Sequence, residues 1–261
     1  MVRDRATRHP ADRLALEPVA RFADRARARA GGGANTCRSS GTLVDCGVVL
    51  SSSPHTLAVL ASGQGTNFEA LARAAQRQEL GGTIALLLTD RPRAPVVERA
   101  RTLGIEALAL PCGRFRTRIE DEGPWVDALR RHGVEFLLLA GFMRRLHEPL
   151  LRTYEDRILN IHPSLLPAFP GLDPISQAFE HGVKVTGCTV HLVDGTLDGG
   201  PILAQAAVEV REDDSLESLE TRVHEAEHRL YPWAVRRFLE VPWRREGRAL
   251  RFDLPTGVRH G

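Results

Sequence analysis

Short apolar runs alternate with segments of helical periodicity along the chain beyond residue 55. The apolar runs lie at 57–61, 84–89, 107–110 and 136–140, and helical segments at 67–75, 94–103 and 119–131 separate them. Strands that are apolar throughout are typical of parallel sheets, because helices cover both faces of such sheets. The alternation therefore predicts an α/β fold, with a Rossmann-like, mostly parallel twisted sheet and helices on both faces.

The pattern changes after a fifth apolar run at 158–161. Four prolines between residues 163 and 174 mark a loop, and two longer apolar runs at 185–193 and 201–210 are joined by a glycine-rich connection. This arrangement predicts a C-terminal antiparallel extension of the sheet.

A long helix should close the domain. Apolar residues between 216 and 233 recur at intervals of three and four, which is the spacing of one helix face. Asp214 and Glu217 predict a capping box at its start. Pro232 should bend or stop the helix, because proline lacks the N–H that the helix needs.

Length and composition predict one folded domain with an extension at each end. The 261 residues are 43% hydrophobic and 26% charged, an ordinary globular mixture. Residues 1–55 should form a disordered N-terminal extension, since Gly, Ala and Ser dominate much of their second half. Residues 56–240 should form the folded domain, and residues 241–261 a C-terminal tail.

Charge and cysteine content exclude several classes of protein. Residues 1–55 carry nine Arg against five acidic residues, and the remainder carries 26 basic against 28 acidic residues. This balance argues against nucleic acid as a partner. The longest apolar run is far shorter than the roughly 18 residues that span a bilayer. The four cysteines form no CxxC pair or Cys/His cluster, which argues against disulfides and a zinc site and favours a cytoplasmic location.

A glycine-rich turn, Ser62 to Asn67, lies between the first predicted strand and the first predicted helix. Free backbone N–H groups and the helix dipole favour an anion there, and phosphate is the natural ligand. The turn departs from the dinucleotide-binding pattern GxGxxG because Phe68 replaces the third glycine. Asp90 nevertheless follows the second strand, where a ribose-binding acid would lie. A tight turn without a ligand is the alternative.

Two further polar features accompany predicted strands. Asn160 and His162 lie two residues apart at the carboxyl end of a strand, so their side chains can point to the same side and contact one substrate atom. Asp194 and Asp198 flank a glycine in a sharp loop that presents carboxylates. A structural histidine and a solvated turn are the alternative interpretations.

Six segments carry the most specific functional signal when they are taken together. They are SGQGTN (62–67), AGFMRRL (140–146), NIHPSLLPAFPG (160–171), VTGCTVHLVD (185–194), LDGGPILAQ (197–205) and EHRLYP (227–232). In this order they resemble the phosphoribosylglycinamide formyltransferase family of the formyltransferase superfamily, over about residues 57–240. The resemblance implies transfer of a formyl group from the co-substrate 10-formyltetrahydrofolate to glycinamide ribonucleotide in purine biosynthesis, without a metal.

The resemblance also implies roles for individual residues. The catalytic residues would be Asn160, His162 and Asp198. The substrate phosphate and ribose would be bound by Gly63, Gln64, Gly65, Thr66, Asn67, His224 and Glu227. The folate would be bound by Arg118, Phe142, Met143, Arg144, Arg145, Leu146 and Asp194. The implied partners are these two small molecules, with neither nucleic acid nor a membrane, and both a monomer and a homodimer are compatible with the sequence.

Two positions depart from the family pattern. Asp173 and Pro174 follow the FPGL stretch, where many members have a histidine. His224 occupies the position at which the family often has a lysine that pairs with the phosphate. A histidine in that role would make phosphate binding depend on pH.

A formyltetrahydrofolate deformylase is the nearest alternative, since it shares the Asn, His and Asp and uses water as the acceptor. Such hydrolases usually carry an N-terminal regulatory domain, and residues 1–55 lack the periodicity of one. A methionyl-tRNA formyltransferase would need a basic C-terminal domain that the residues after 240 are too few to form. A non-catalytic nucleotide-binding domain should have lost part of the catalytic set, yet all three residues are present.

Overall fold

The computed structural model describes residues 54–253 of the chain. Its nine strands are β1 (His55–Leu60), β2 (Gly82–Thr89), β3 (Glu106–Ala109), β4 (Phe136–Leu139), β5 (Ile158–His162), β6 (Val185–Leu192), β7 (Ile202–Glu209), β8 (Trp243–Glu246) and β9 (Ala249–Phe252). Its six helices are α1 (Thr66–Gln76), α2 (Pro95–Thr102), α3 (Gly123–Arg131), α4 (Glu148–Thr153), α5 (Pro174–Glu180) and α6 (Leu216–Glu240). The extension predicted for residues 1–55 lies outside the described residues except at its last two, so it stays a prediction.

All nine of these strands belong to one mixed sheet. Their order is β3-β2-β1-β4-β5-β6-β7-β9-β8. Strands β1 to β5 pair in parallel, whereas β6 runs antiparallel to both β5 and β7. The predicted fold class, a mostly parallel sheet with a C-terminal antiparallel extension, is confirmed.

Side chains of the central strands alternate between two apolar cores, one on each face of the sheet. On β1, Leu57 and Val59 pack into the cluster formed with α1, α2 and α6. Ala58 and Leu60 point the other way, into the cluster formed with α3 and α4. A strand with both faces buried in this way must be apolar throughout, which is why its sequence shows a continuous run rather than alternation.

Helix α6 crosses the sheet and is tied to it by a buried hydroxyl. Tyr231 is fully buried, and its Oη lies 3.0 Å from the carbonyl oxygens of both Leu139 and Leu159. Those carbonyls belong to the last residue of β4 and the second residue of β5, so the tyrosine ties α6 to both strands. At 25 residues α6 is the longest helix described, yet neither it nor any other helix in residues 54–253 is apolar enough to cross a membrane.

The ends of α6 differ from the sequence prediction. Its capping box is formed by Ser215 and Ser218, whose hydroxyls accept from each other's backbone N–H, rather than by Asp214 and Glu217. Asp214 instead accepts from the backbone N–H of Arg211, and this bond together with Arg222 lowers its pKa to about 2. Pro232 lies inside the helix, which continues to Glu240.

The sheet extends beyond the boundary predicted at residue 240. Strands β8 and β9 form an antiparallel hairpin, and β9 joins the sheet in parallel with β7 through Ala249 and Ile202. Trp243 stacks on Phe238 of α6, with 4.7 Å between ring centroids. Part of the predicted tail is therefore an edge of the sheet.

The Tyr231 hydroxyl provides a test of how α6 is held. Tyr231→Phe should lower the free energy of unfolding by roughly 1–3 kcal/mol, because buried carbonyls lose a donor while the ring stays in place. Tyr154→Phe is the matched control: Tyr154 is also buried, but its hydroxyl reaches its acceptor, the Val134 carbonyl, only at 3.4 Å. Urea denaturation of both variants measures the difference, and equal losses would contradict the role assigned to Tyr231.

Candidate active site

Strands β5 and β6 bring three polar side chains to one face of the sheet. Asn160 and His162 are two residues apart on β5 and therefore point the same way. Because β6 is antiparallel to β5, His191 lies directly opposite Asn160 in the register. The pairing of these two strands thus builds the floor of a polar site within an otherwise apolar sheet.

His191 orients the Asn160 amide. The His191 ring is 2% exposed, and burial lowers its pKa, so the neutral ring is favoured. Its Nδ1 lies 2.8 Å from the carbonyl oxygen of Leu192, which can only accept, so Nδ1 carries the proton. Its Nε2 then accepts from Asn160 Nδ2 at 3.1 Å. An amide nitrogen carries two hydrogens, so a second N–H of Asn160 remains for a ligand.

His162 is fixed through one ring nitrogen and open through the other. Its Nε2 donates to the carbonyl oxygen of Phe169 at 2.9 Å, and the residue is 5% exposed. Its Nδ1 therefore faces Asp198, whose Oδ2 lies 3.7 Å away. Nδ1 is therefore the ring nitrogen available to a ligand, while the Nε2 bond keeps the ring oriented.

Asp198 lies between the two imidazoles. Its Oδ1 is 3.9 Å from His191 Nε2, and its Oδ2 accepts from the backbone N–H of Gly171 at 2.8 Å. The backbone of Asp198 has φ +47°, a left-handed conformation that few non-glycine residues adopt. The structure thus brings Asn160, His162 and Asp198 together, although Asp198 is distant from the other two in sequence.

The other predicted carboxylate, Asp194, serves its own loop. Its Oδ1 accepts from the backbone N–H of Thr196 at 2.8 Å and from the Thr196 hydroxyl. These contacts close a tight turn at the start of the loop that carries Asp198.

The glycine-rich turn forms the N-terminus of α1 and is supported by α2. Gly65 caps α1 with φ +77°, and no side chain of the described residues caps this end, so first-turn N–H groups are available to a ligand. A Cβ at Gly65 would overlap the side chain of Val96. The Val96 N–H donates to the Gly63 carbonyl at 3.2 Å, and Arg99 Nε donates to the Gln64 carbonyl at 2.7 Å. The backbone of the turn is therefore rigid before any ligand binds.

A buried carboxylate joins this turn to α6. Glu227 is 2% exposed, and its Oε2 accepts from Asn67 Nδ2 at 2.9 Å. The same oxygen lies 2.9 Å from His224 Nδ1, and this hydrogen bond raises the pKa of His224. The residues predicted to bind the phosphate and the ribose come from two segments some 160 residues apart. In the structure, Asn67, His224 and Glu227 form one hydrogen-bonded cluster.

Arg144, predicted to bind folate, is engaged within the protein. Its guanidinium contacts Asp90 Oδ2 at 2.7 Å and donates to the carbonyl oxygens of Phe115, at 2.8 Å, and Arg116. The Asp90 side chain is fully buried, so its carboxylate faces Arg144 rather than a ribose site. The pair attaches the loop around residues 115–118 to the AGFMRRL segment.

The remaining predicted folate residues surround this attachment. Arg118 forms a backbone bridge with Arg145 and stacks over the Phe115 ring at 3.9 Å. The N–H of Met143 donates to Ser62 Oγ at 2.9 Å, which links the segment to the glycine-rich turn. Phe142 packs near Trp125, Leu146 is buried, and Met143 is 48% exposed.

Sequence reasoning missed His191. Strand β6 is almost entirely buried, and within it Thr189 and His191 are polar residues on one face. A buried polar residue in an apolar strand is informative, and this alternation was the available signal. Within residues 54–253, no group of three or more His, Cys, Asp or Glu side chains is arranged to hold a metal ion.

Comparisons with known proteins identify the family. A profile described as Formyl transferase matches residues 55–235. The phosphoribosylglycinamide formyltransferase of Bacillus subtilis (strain 168) is 46% identical over 182 residues, or 70% of this chain and 93% of that protein. The crystal structure of glycinamide ribonucleotide transformylase 1 from Symbiobacterium toebii is 44% identical, with a TM-score of 0.73, over 76% of this chain and 93% of that one. A formyltetrahydrofolate deformylase structure from Pseudomonas syringae pv. tomato is 26% identical, with a TM-score of 0.69, over 76% of this chain and 66% of that one. The chain therefore belongs to the formyl transferase family, among its phosphoribosylglycinamide formyltransferases.

Proposed function

We propose that the protein transfers the formyl group of 10-formyltetrahydrofolate to the amine of glycinamide ribonucleotide, giving formylglycinamide ribonucleotide and tetrahydrofolate. The observation that carries the proposal is the convergence of Asn160, His162 and Asp198 on one face of the sheet. The glycine-rich turn at the N-terminus of α1, held in place by α2, supports a phosphorylated acceptor because such a turn is suited to binding phosphate. We propose a cytoplasmic location for the protein. The proposed reaction is compatible with a monomer and with a homodimer.

The chemistry requires stabilisation of a developing oxyanion. When the amine attacks the formyl carbon, the carbonyl oxygen gains negative charge. Asn160 offers its second N–H, and His162, when protonated at Nδ1, offers a charged donor. Both donors are held before the reaction, Asn160 by His191 and His162 by the Phe169 carbonyl. Such preorganised donors lower the barrier because they need not reorient as charge develops.

The reaction also moves one proton. A bond forms between the amine nitrogen and the formyl carbon, the bond from that carbon to the folate nitrogen breaks, and the proton lost by the amine ends on the folate nitrogen. Asp198 is the group proposed to carry that proton, directly or through water. Its Oδ2 lies 3.7 Å from His162 Nδ1, close enough for the two groups to act on the same substrate atoms.

The nucleotide would bind across the turn and α6. The phosphate would lie at the N-terminus of α1, contacting the turn residues Gly63, Gln64, Gly65, Thr66 and Asn67. His224 would add a charge to the phosphate, and Glu227 would accept from the ribose hydroxyls.

The folate would bind along the AGFMRRL segment and the loop carrying Asp194. Phe142, Met143 and Leu146 supply apolar surface. Since the Arg144 guanidinium is committed to Asp90, Arg144 would contribute backbone groups. Arg118 and Arg145 would then be the cations available to the carboxylates of the folate. The reaction as proposed uses no metal.

Formation of both products from the two purified substrates tests this function directly. Tetrahydrofolate should appear only when glycinamide ribonucleotide is present, in equal amounts with the formylated nucleotide. Release of tetrahydrofolate and formate at the same rate without the nucleotide would instead identify a deformylase.

Asp198→Asn tests the proton-transfer role. The substitution keeps the shape of the side chain and removes its charge, so kcat should fall by roughly 10²- to 10⁴-fold. The melting temperature should change little. Asp194→Asn, in the same loop, should change KM for the folate more than kcat. A near-normal kcat for Asp198→Asn would remove this residue from the mechanism.

Gly65→Ala tests the location of the phosphate. A Cβ at this position displaces the turn against Val96, so KM for glycinamide ribonucleotide should rise by roughly 10-fold or more while KM for the folate changes little. Gly104→Ala is the matched control, because Gly104 has φ +70° and open space around it, remote from the site. Equal effects of the two substitutions on KM would place the phosphate elsewhere.

His224 should make nucleotide binding depend on pH. Glu227 raises the pKa of His224, with Glu220 adding to the effect, so the imidazolium persists above the ordinary pKa of histidine and is lost as pH rises through the raised value. KM for the nucleotide should therefore increase over that range. His224→Lys should abolish the increase, because lysine stays charged to about pH 10, and His224→Gln should give a high KM throughout. An unchanged pH profile in His224→Lys would exclude His224 from phosphate binding.

A further inference from the structure

The loop that carries Asp198 is tightly built and strained. It connects β6 to β7 over residues 193–201, and Asp198 itself has φ +47°. A Cβ at Gly200 would overlap the carbonyl oxygen of Leu192, so the backbone packs closely against the end of β6. A non-glycine residue in a left-handed conformation is strained, so surrounding contacts must hold it in place.

One of those contacts comes from the C-terminal hairpin. Arg248 Nη2 donates to the carbonyl oxygen of Gly199 at 2.7 Å. Gly199 immediately follows Asp198, whose carboxylate is held on its other side by the N–H of Gly171. Two separate parts of the chain, at Arg248 and at Gly171, thus hydrogen-bond to the loop at or beside Asp198.

Three contacts attach the β8–β9 hairpin to the rest of the domain and place Arg248 next to Gly199. Ala249 pairs with Ile202, the first residue of β7, which fixes the β8–β9 turn beside the end of the loop. Arg245 Nη1 contacts Asp156 Oδ1 at 3.0 Å, in the turn that precedes β5. The Trp243 ring is stacked on α6. The hairpin therefore connects the turn before β5, which carries Asn160 and His162, to the loop that carries Asp198.

We propose that Arg248 is a positioning residue for Asp198, and that the β8–β9 hairpin is part of the active-site architecture although it lies beyond the segment matched by the family profile. By fixing the Gly199 carbonyl, Arg248 restricts the directions in which the adjacent carboxylate can point between His162 and His191. The expected effect of Arg248 on turnover rests on the function proposed for Asp198. The expected effect of Arg248 on the mobility of the loop is independent of that function.

The loss of turnover expected on removing the Arg248 side chain depends on the strength of its hydrogen bond to Gly199. Arg248 is exposed, so its bond to a neutral carbonyl contributes modestly, as charge-assisted bonds at a surface do. Small misplacements of a catalytic group nevertheless reduce turnover. Arg248→Ala should lower kcat by roughly 3- to 10-fold and leave KM for both substrates nearly unchanged.

The experiment compares Arg248→Ala, Arg248→Lys and Arg251→Ala in the full chain. Arg251 is the matched control, since it lies on the same hairpin, is also exposed and contacts Glu246 at 3.2 Å instead of the loop. Hydrogen exchange of peptides spanning residues 190–202 gives a readout that is independent of activity. Arg248→Ala should exchange faster there and turn over more slowly, Arg251→Ala should match the unsubstituted protein, and Arg248→Lys should recover part of the loss.

Two results would overturn the proposal. Unchanged exchange of the loop in Arg248→Ala would show that Arg248 does not restrict it. Faster exchange with unchanged kcat would show that holding the loop in place does not affect turnover. The Asp198→Asn variant then shows whether only the role of Arg248 is wrong or the role of Asp198 as well. If Asp198→Asn is impaired, the positioning role of Arg248 is wrong; if it is not, the function proposed for Asp198 fails as well.

Discussion

The antiparallel register between β5 and β6 is the constraint on which the site depends. It sets His191 opposite Asn160, and the alternation along β5 adds His162 to the same face. Because β6 reverses direction, the chain leaves it through the 193–201 loop, whose Asp198 lies within 4 Å of both histidine rings. A shift of one residue in this register would turn His191 away from Asn160 and separate the set.

Helix α6 connects the strands that carry Asn160 and His162 to the glycine-rich turn. Glu227 and Tyr231 lie one helical turn apart, and both are buried. Glu227 contacts Asn67 of the turn, whereas Tyr231 contacts the carbonyls of β4 and β5. One turn of a single helix therefore links the glycine-rich turn to strands β4 and β5, and a helix keeps that separation nearly constant.

Much of this architecture could be predicted from sequence because its physical signals are local. Continuous apolar runs mark strands buried on both faces, and the two-residue spacing of Asn160 and His162 places them on one side. The assembly of the proposed catalytic residues was harder to predict, because Asp198 approaches His162 through a loop whose path no local pattern reveals. Only the resemblance of the ordered motifs to a known family brought these segments together before the structure did.

The parts that were missed have weak or misleading signals. Helices α4 and α5 have six and seven residues, too few for a periodic pattern. Strands β8 and β9 lie at the edge of the sheet and are rich in arginine, so they resemble a solvated tail. Ser215 was overlooked as a cap because Asp214, beside it, fits the same pattern. The resemblance of the AGFMRRL segment assigned Arg144 to folate, and its contact with Asp90 was missed because Asp90 follows a strand distant in sequence.

The Asp90–Arg144 pair has a consequence for how this protein can diverge. Loss of Arg144 would leave the buried Asp90 carboxylate with the more distant Arg91, at 3.9 Å, and loss of Asp90 would leave the Arg144 guanidinium with neutral backbone carbonyls. Losing one member of a buried pair is more costly than replacing both by apolar residues, which can be nearly neutral. Evolution can therefore reach other residues at positions 90 and 144 mainly through paired exchange. Selection on the two positions is joint, and the history of one constrains the history of the other.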